Sequence, residues 1–327
     1  MRYRTIGTDP STRREVSSLS LGAMLFGTDT DEKTSFAVLD RFVEAGGTFI
    51  DTSNNYAFWY DDGLGGQSEE LLGRWLRSRD AYDRVVIATK LGARPRTPGT
   101  SFLDNPEGLS AKTIRAAVEG SLERLGVERL DLLYAHIEDR VTPAEETVGA
   151  FGELVAEGTV GLLGVSNHTT WRIERARAIA AATGVAGYEV LQYSHSYLRP
   201  RTDIPRGMFP DGGVHPGTEL LSYLRAEPGL SLVAYSPLLK GAYTRADKPL
   251  SDDYDHPGTP ARLAALREVA AETGATLNQV VLAWQTGHEI PIIPLAGASS
   301  VAQLDEILGS VELELTAEQR AKLDAAH

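Results

Sequence analysis

A chain of 327 residues with 42% hydrophobic and 24% charged residues can bury a large core and has a globular composition. Its formal net charge of −13 argues against a general nucleic-acid binder, which needs clustered Lys and Arg against phosphate, and the absence of cysteine excludes disulfides and thiolate chemistry. With no long uncharged apolar run and no apolar segment at the start, the expectation is a soluble, cytoplasmic protein with no membrane partner.

Residues 2–6 and 14–16 can pair as a hairpin across the turn-rich Thr8-Asp9-Pro10, outside any repeating unit, and 16–22 has strand character. Over 32–45, Phe36, Leu39, Phe42 and Val43 are spaced for one helical face, which Gly46-Gly47 ends. Strand and helix then alternate. Strand 48–50 ends in Asp51, helix Gln67–Arg79 follows, and strand 85–89 ends in Lys90. Helix 110–125, with Ser110 as its N-cap, leads to strand 131–135 ending in His136. Helix 143–157 carries proline near its first turn, and strand 160–165 ends in Ser166 and Asn167. Helix 169–183 leads to strand 188–191, ending in Gln192.

The irregular stretch 194–216 is long enough to read as functional or mobile, since structureless loops above roughly 15 residues are uncommon. Helix Thr218–Ala226, strand 230–234, a connection over 238–257, helices 259–272 and 276–285, strand 291–295 and helix Val301–Leu308 complete eight strand-helix units. Every inter-strand connection is long enough for the crossover that parallel pairing requires. The pattern predicts an α/β fold, a single (β/α)8 TIM barrel domain over 1–327 with an N-terminal β-hairpin and long active-site loops. A doubly wound open sheet is the competing arrangement, but no GxGxxG follows the first strand.

In such a barrel, side chains at the carboxyl ends of the strands face one cavity. Asp51, Tyr56, Lys90 and His136 occupy three successive strand ends, with Tyr56 on the turn after Asp51. Singly, each has a plainer reading: a turn cap, a packed loop tyrosine, an exposed lysine, a hydrogen-bonded histidine. Together they form a general acid. A lysine ammonium beside the phenol favours the phenolate and is expected to lower the phenol's pKa, Asp51 would keep Lys90 charged and oriented, and His136 would position a carbonyl oxygen or relay the proton. His195 and His215 lack a third ligand at useful spacing, so no metal is expected.

With these motifs the sequence resembles the aldo-keto reductase family over nearly its whole length. The motifs are Leu21-Gly22-Ala23-Met24-Leu25-Phe26-Gly27, Phe49-Ile50-Asp51-Thr52-Ser53-Asn54-Asn55-Tyr56, Ala88-Thr89-Lys90, Asp131-Leu132-Leu133-Tyr134-Ala135-His136, Gly164-Val165-Ser166-Asn167 and Ala234-Tyr235-Ser236-Pro237-Leu238. The resemblance implies a (β/α)8 barrel that binds extended NADP(H) without a Rossmann unit, and reduction of an aldehyde or ketone, or its reverse. Tyr56 would be the proton donor, with Asp51, Lys90 and His136 completing the tetrad. Gly22, Ala23, Met24 and Asp51 would border the cofactor. Ser166, Asn167 and Gln192 would bond the nicotinamide carboxamide, Tyr235 would stack on its ring, and Ser236, Pro237, Leu238 and Gly241 would wrap the pyrophosphate. Gly297, Ser299, Gln303 and Glu306 match the adenosine-phosphate site.

The chain departs from part of the family there. No basic residue stands between Leu295 and Glu306 to grip a 2′-phosphate, so Arg245 is the candidate charge; NADP(H) is favoured and NAD(H) stays open. Ile307 replaces the usual asparagine. Phe58, Trp59 and Tyr60 are candidate substrate contacts with His136, and so are 91–109 and the 194–216 loop with Tyr197, Met208 and Phe209. The rival from another class is a nucleotide-sensing regulatory subunit resembling channel-associated β subunits. A metal-dependent barrel isomerase or hydrolase has too few ligands. Which carbonyl is the substrate, the physiological direction and the oligomeric state are open at this level.

Overall fold

The computed structural model describes residues 1–60, 63–201, 203 and 218–327. Within the 194–216 stretch, Tyr197 is described and buried, whereas Met208, Phe209 and His215 lie outside the described residues. Strands β1 (Tyr3–Ile6) and β2 (Arg14–Ser17) pair antiparallel as the hairpin. Strands β3 (Ser20–Gly22), β4 (Phe49–Asp51), β5 (Val86–Leu91), β6 (Leu130–Ala135), β7 (Val160–Ser166), β8 (Val190–Ser194), β9 (Ser231–Tyr235) and β10 (Ile292–Gly297) are all parallel. They run in chain order around a closed barrel, β10 pairing with both β9 and β3.

Helices α1 (Glu32–Glu44), α2 (Gln67–Arg79), α3 (Ala111–Leu125), α4 (Ala144–Ala156), α5 (Thr170–Thr183), α6 (Thr218–Ala226), α7 (Gly258–Thr273), α8 (Leu277–Thr286) and α9 (Val301–Leu308) connect or follow the strands. Asp31, Ser110, Thr276 and Ser300 cap α1, α3, α8 and α9 through side-chain oxygens, which fixes where each helix starts. A tenth helix, α10 (Ala317–Ala325), was not among the expected elements, although the capping box of Thr316 and Gln319 signals it in the sequence.

Stretch 16–22 is not one strand. Ser17 ends the hairpin and the chain bends at Ser18 and Leu19 before β3. The Ser17 hydroxyl accepts from the Thr48 and Phe49 amides at 3.0 and 3.2 Å and donates to the Leu19 carbonyl at 2.7 Å. That cross-link ties the hairpin to the start of β4 and forces the bend.

Period-two alternation then sorts the barrel interior by height. Phe49, Val86, Ala88, Leu132, Leu162, Val190, Val233 and Ile293 form its apolar body, joined by Ile6 and Val16 of the hairpin. Two residues further along β4, β5, β6 and β7, the positions are Asp51, Lys90, Tyr134 and Gly164. Tyr134 lies against Gly164, where an added Cβ would stand 2.3 Å from the Tyr134 ring. The hairpin's apolar residues thus fill one end, and the polar groups gather at the other. A larger apolar layer lies between strands and helices, from Leu21, Ile50, Leu133 and Leu163 to Phe42, Trp75, Phe151 and Leu304. Among the described residues, no helix is long and apolar enough to cross a membrane.

Candidate active site

Asp51 closes β4, Lys90 lies near the end of β5, His136 follows β6, and Tyr56 stands on the turn after β4. The Lys90 and Asp51 side chains are 0% and 1% exposed and form an ion pair. Lys90 Nζ also donates to the Thr52 carbonyl at 2.7 Å and to the Tyr56 hydroxyl oxygen at 2.9 Å. An ammonium has three N–H donors, and these three acceptors use all of them. The other Asp51 oxygen accepts from Gln192 Nε2 at 2.7 Å, so the carboxylate is held from β5 and β8 at once.

Burial pushes the Asp51 carboxyl up and pulls Lys90 down, and each opposes the shift in the other. The filled hydrogen-bond count supports the charged pair, because a neutral amine would leave one acceptor unmatched. The expected lowering of the Tyr56 phenol is not found. Burial first, then the Asp51 carboxylate, pushes it well above its ordinary value. The sequence shows a cation beside the phenol but not how near its counter-ion sits; Asp51 neutralises Lys90 where it stands, and the lost hydration of a phenolate is not recovered. Tyr56 is therefore protonated at neutral pH, with the Lys90 ammonium held on its oxygen. Burial, then Lys90, holds His136 well below the usual histidine value, so its ring is neutral. The Tyr56 and His136 rings meet edge to face, centroids 6.1 Å apart.

Residues outside the expected set hold this cluster. Ser53 Oγ lies 3.1 Å from His136 Nδ1 and 2.7 Å from Asn55 Oδ1, and Asn55 Nδ2 donates to the Ala93 carbonyl at 3.1 Å. Glu107 accepts from Asn54 Nδ2 at 2.8 Å and the Gly92 amide at 2.6 Å, locking the Tyr56 turn to the loop after β5. Gly65, at φ +87, closes against that turn: a Cβ there would lie 2.4 Å from the Asn55 carbonyl oxygen. Among the described residues, the Tyr134 hydroxyl is buried without a close hydrogen-bond partner, and its ring centroid is 5.9 Å from Lys90 Nζ. Ser53 and Asn55 lie inside the motif that carries Tyr56, and Tyr134 precedes His136 by one strand period; only the folded contacts reveal what they touch.

The residues expected to meet a dinucleotide fall into two groups. Around β7 to β9, Ser166 Oγ donates to the Gln192 carbonyl at 2.9 Å. Asn167 Nδ2 donates to Ser166 Oγ at 2.9 Å and to the His136 carbonyl at 3.2 Å, and the Tyr235 hydroxyl donates to Asn167 Oδ1 at 2.9 Å. Gln192 donates one amide N–H to Asp51, which leaves its other N–H and its oxygen. The turn after β9 carries positive φ at Ser236 (54°), Leu239 (48°), Lys240 (58°) and Gly241 (96°), with Pro237 and Leu238 between. Such conformations cost a non-glycine residue about 1–3 kcal/mol each and gather at ligand-holding turns.

Near β10, Gly297 is exposed and pairs with Gly22, Ala23 is buried, and Met24 is exposed. Gln303 Oε1 accepts from the Ser299 amide and hydroxyl at 2.8 and 3.0 Å. Glu306 Oε1 accepts from Thr276 Oγ1 at 2.9 Å and Asn278 Nδ2 at 3.1 Å. Arg245 is exposed and paired with Asp247 at 2.5 Å.

Phe58 packs edge to face on Trp59 and Phe102, with centroids 5.2 and 5.5 Å away, while Trp59 and Tyr60 are largely exposed. His195 is half-buried beside Trp284, its ring held down to about 4 by loss of hydration. Among the described residues, no group of three His, Asp or Glu is placed to hold a metal ion.

Removing Lys90 leaves the buried Asp51 carboxylate with Gln192 alone. Lys90→Met should lose about 3–5 kcal/mol at neutral pH. Asp51, raised further, contributes its stability below the ordinary carboxylate pKa and loses it as pH rises through the raised folded value. Urea denaturation from pH 4 to 8 should show the deficit against wild type growing with pH; a deficit independent of pH would contradict the buried pair.

The aldo/keto reductase family matches residues 18–327 of the chain. An uncharacterized oxidoreductase, YrpG of Bacillus subtilis, is 31% identical over 97% of this chain and 93% of its own. Norsolorinic acid reductase stcV of Emericella nidulans is 33% identical over 93% of this chain and 76% of its own. An aryl-alcohol dehydrogenase of Pestalotiopsis microspora, GME11368, is 26% identical over the whole of this chain and 82% of its own. Family members act on small-molecule carbonyl substrates with nicotinamide cofactors. By the extent of this match and the closed barrel that carries it, the chain belongs to the aldo/keto reductase family and is a carbonyl/alcohol oxidoreductase.

Proposed function

We propose that the protein, acting as one domain over 1–327, reduces an aromatic aldehyde or ketone with NADP(H), and that Tyr56 gives the proton. The observation that carries this reading is the 2.9 Å hydrogen bond from Lys90 to the Tyr56 oxygen, with Lys90 itself anchored on Asp51. That bond engages the oxygen's lone pair, leaving the phenolic proton for another acceptor. A carbonyl oxygen gains charge as its carbon is reduced and becomes the stronger acceptor. Lys90 then faces a phenolate and stabilises it, while Asp51 keeps Lys90 charged.

The residues fit a nicotinamide dinucleotide. The strained turn at 236–241, closed by its own Leu239 and Gly241 amides, lets a pyrophosphate approach the backbone closely at Gly241. Asn167, Ser166 and Tyr235 form a polar and aromatic wall beside the tetrad, suited to an amide-bearing ring. Bound there, the nicotinamide supplies the hydride. Arg245, folded over Gly241, is the cation we assign to the 2′-phosphate after release from Asp247. Phe58, Trp59 and Phe102 present aromatic surface near the mouth. The printed names of two relatives, a norsolorinic acid reductase and an aryl-alcohol dehydrogenase, also point to aromatic substrates.

Tyr56→Phe should lower benzaldehyde reduction by at least about 100-fold and leave NADPH affinity within about twofold. Turnover near wild type in that variant would defeat the assignment of Tyr56. Tight NADPH retention with no turnover of any aldehyde by the wild type would favour the regulatory-subunit reading.

Fluorescence titration tests the cofactor. NADPH should bind more tightly than NADH, and Arg245→Ala should weaken NADPH by about tenfold, the loss of one charge-assisted hydrogen bond, with NADH unchanged. Equal affinity of wild type for the two nucleotides would rule out the 2′-phosphate contact.

A further inference from the structure

We infer that Glu138 is a positioning residue for the cofactor: its buried carboxylate ties the loop after β6 to the turn after β7 and so holds Asn167 at the nicotinamide. This rests on the proposed dinucleotide reading, whereas the tie itself follows from the side-chain contacts alone.

Glu138 stands two residues after His136, and Thr169 stands two residues after Asn167. The Glu138 side chain is 1% exposed. Its Oε1 accepts from the Thr169 amide at 2.6 Å and from the Thr169 hydroxyl at 2.8 Å. Its Oε2 accepts from Arg140 Nε at 3.1 Å and lies 3.5 Å from Arg172 Nε. Burial alone would raise this carboxyl, but the Thr169 and Arg140 hydrogen bonds hold it below its ordinary value, so it is ionised at neutral pH. Thr169 is the N-cap of α5, where a threonine hydroxyl ordinarily accepts from the first turn of its helix, yet it makes no capping bond. Its hydroxyl donates across to Glu138 instead, so the link between the two loops takes the place of the cap.

Asn167 needs such a hold. It sits at φ 59, a left-handed conformation that a non-glycine residue keeps only where its surroundings fix it. Its side chain is set by Ser166, the His136 carbonyl and the Tyr235 hydroxyl, and both of its N–H donors are used. The backbone that follows is set by the Tyr193 hydroxyl on the His168 carbonyl and by Glu138 on the Thr169 amide. Asn167 Oδ1 keeps one acceptor site for a carboxamide N–H, and its aim depends on the turn staying closed. Glu138 therefore acts on the nicotinamide end of the cofactor through Asn167, and not on the adenosine end.

Fluorescence titration with NADPH and with 2′-phospho-ADP-ribose, which lacks only the nicotinamide, separates the two ends. Glu138→Gln keeps the shape but turns an N–H2 against donors whichever way the amide faces. It should weaken NADPH about tenfold, the worth of one hydrogen bond to a charged group, and leave 2′-phospho-ADP-ribose within about twofold. Thr169→Val, which loses only the hydroxyl, should weaken NADPH about threefold, and Thr169→Ser, which keeps it, should bind as wild type does. In the Asn167→Ala background, Glu138→Gln should cost NADPH less than about twofold, because residues acting through one another are not additive. An equal loss for both ligands would mark a general loosening of the protein and overturn the inference, as would the full loss persisting in the Asn167→Ala background. NADPH binding that Glu138→Gln leaves unchanged would overturn this inference alone, whereas a wild type that binds no NADPH would overturn the cofactor reading and this inference with it.

Discussion

A fully buried lysine and aspartate cannot be placed in a protein interior unless each supplies what water would have supplied. Here Lys90 reaches three acceptors on the β4 end and its following turn, and Asp51 is gripped from both β5 and β8. The pair therefore fixes the relative positions of three barrel strands at their carboxyl ends. Tyr56 depends on it directly, through the Lys90 hydrogen bond, and Lys90 adds to the burial that keeps His136 neutral. Ser53, Asn55 and Glu107 add a second set of bonds that stiffen the same turn.

The position of the cluster follows from the barrel's own periodicity. The apolar hairpin residues Ile6 and Val16 join the interior core, so one end is packed by side chains. Alternation along each strand then brings the polar residues to the other end, where loops carry Phe58, Asn167 and the strained turn at 236–241. The scaffold holds the buried charges rigidly, while the groups facing the mouth, Tyr56, His136 and Tyr235, keep part of their surface open.

Much of this was legible before folding. Strand ends at Asp51, Lys90 and His136 follow from apolar runs of β length, and the closed barrel follows from eight such runs joined by crossovers. Boundaries were less so: the Ser17 hydroxyl splits 16–22 by a contact to β4 that no local pattern contains. Charge balance was misread for the same reason. The sequence placed a lysine near a phenol, but the sign of the phenol's shift depends on burial and on how closely Asp51 shadows the ammonium. That Gln192 also completes the shell of a buried carboxylate depends on a contact between β8 and β4 that no local pattern contains. Ser53 and Asn55 sat in plain view within a recognised motif, and only the distances show that they address His136.

Paired isotope effects test the central claim, that Tyr56 over the buried Lys90–Asp51 pair delivers the proton as the carbonyl carbon is reduced. Single-turnover reduction of benzaldehyde would be timed with stereospecifically deuterated NADPH, in H2O and in D2O, for wild type and Tyr56→Phe. The account predicts that wild type slows under both substitutions, and that the residual rate of Tyr56→Phe loses the solvent effect while keeping the hydride effect. A solvent effect that survives unchanged in Tyr56→Phe would assign the proton to another group and contradict the account.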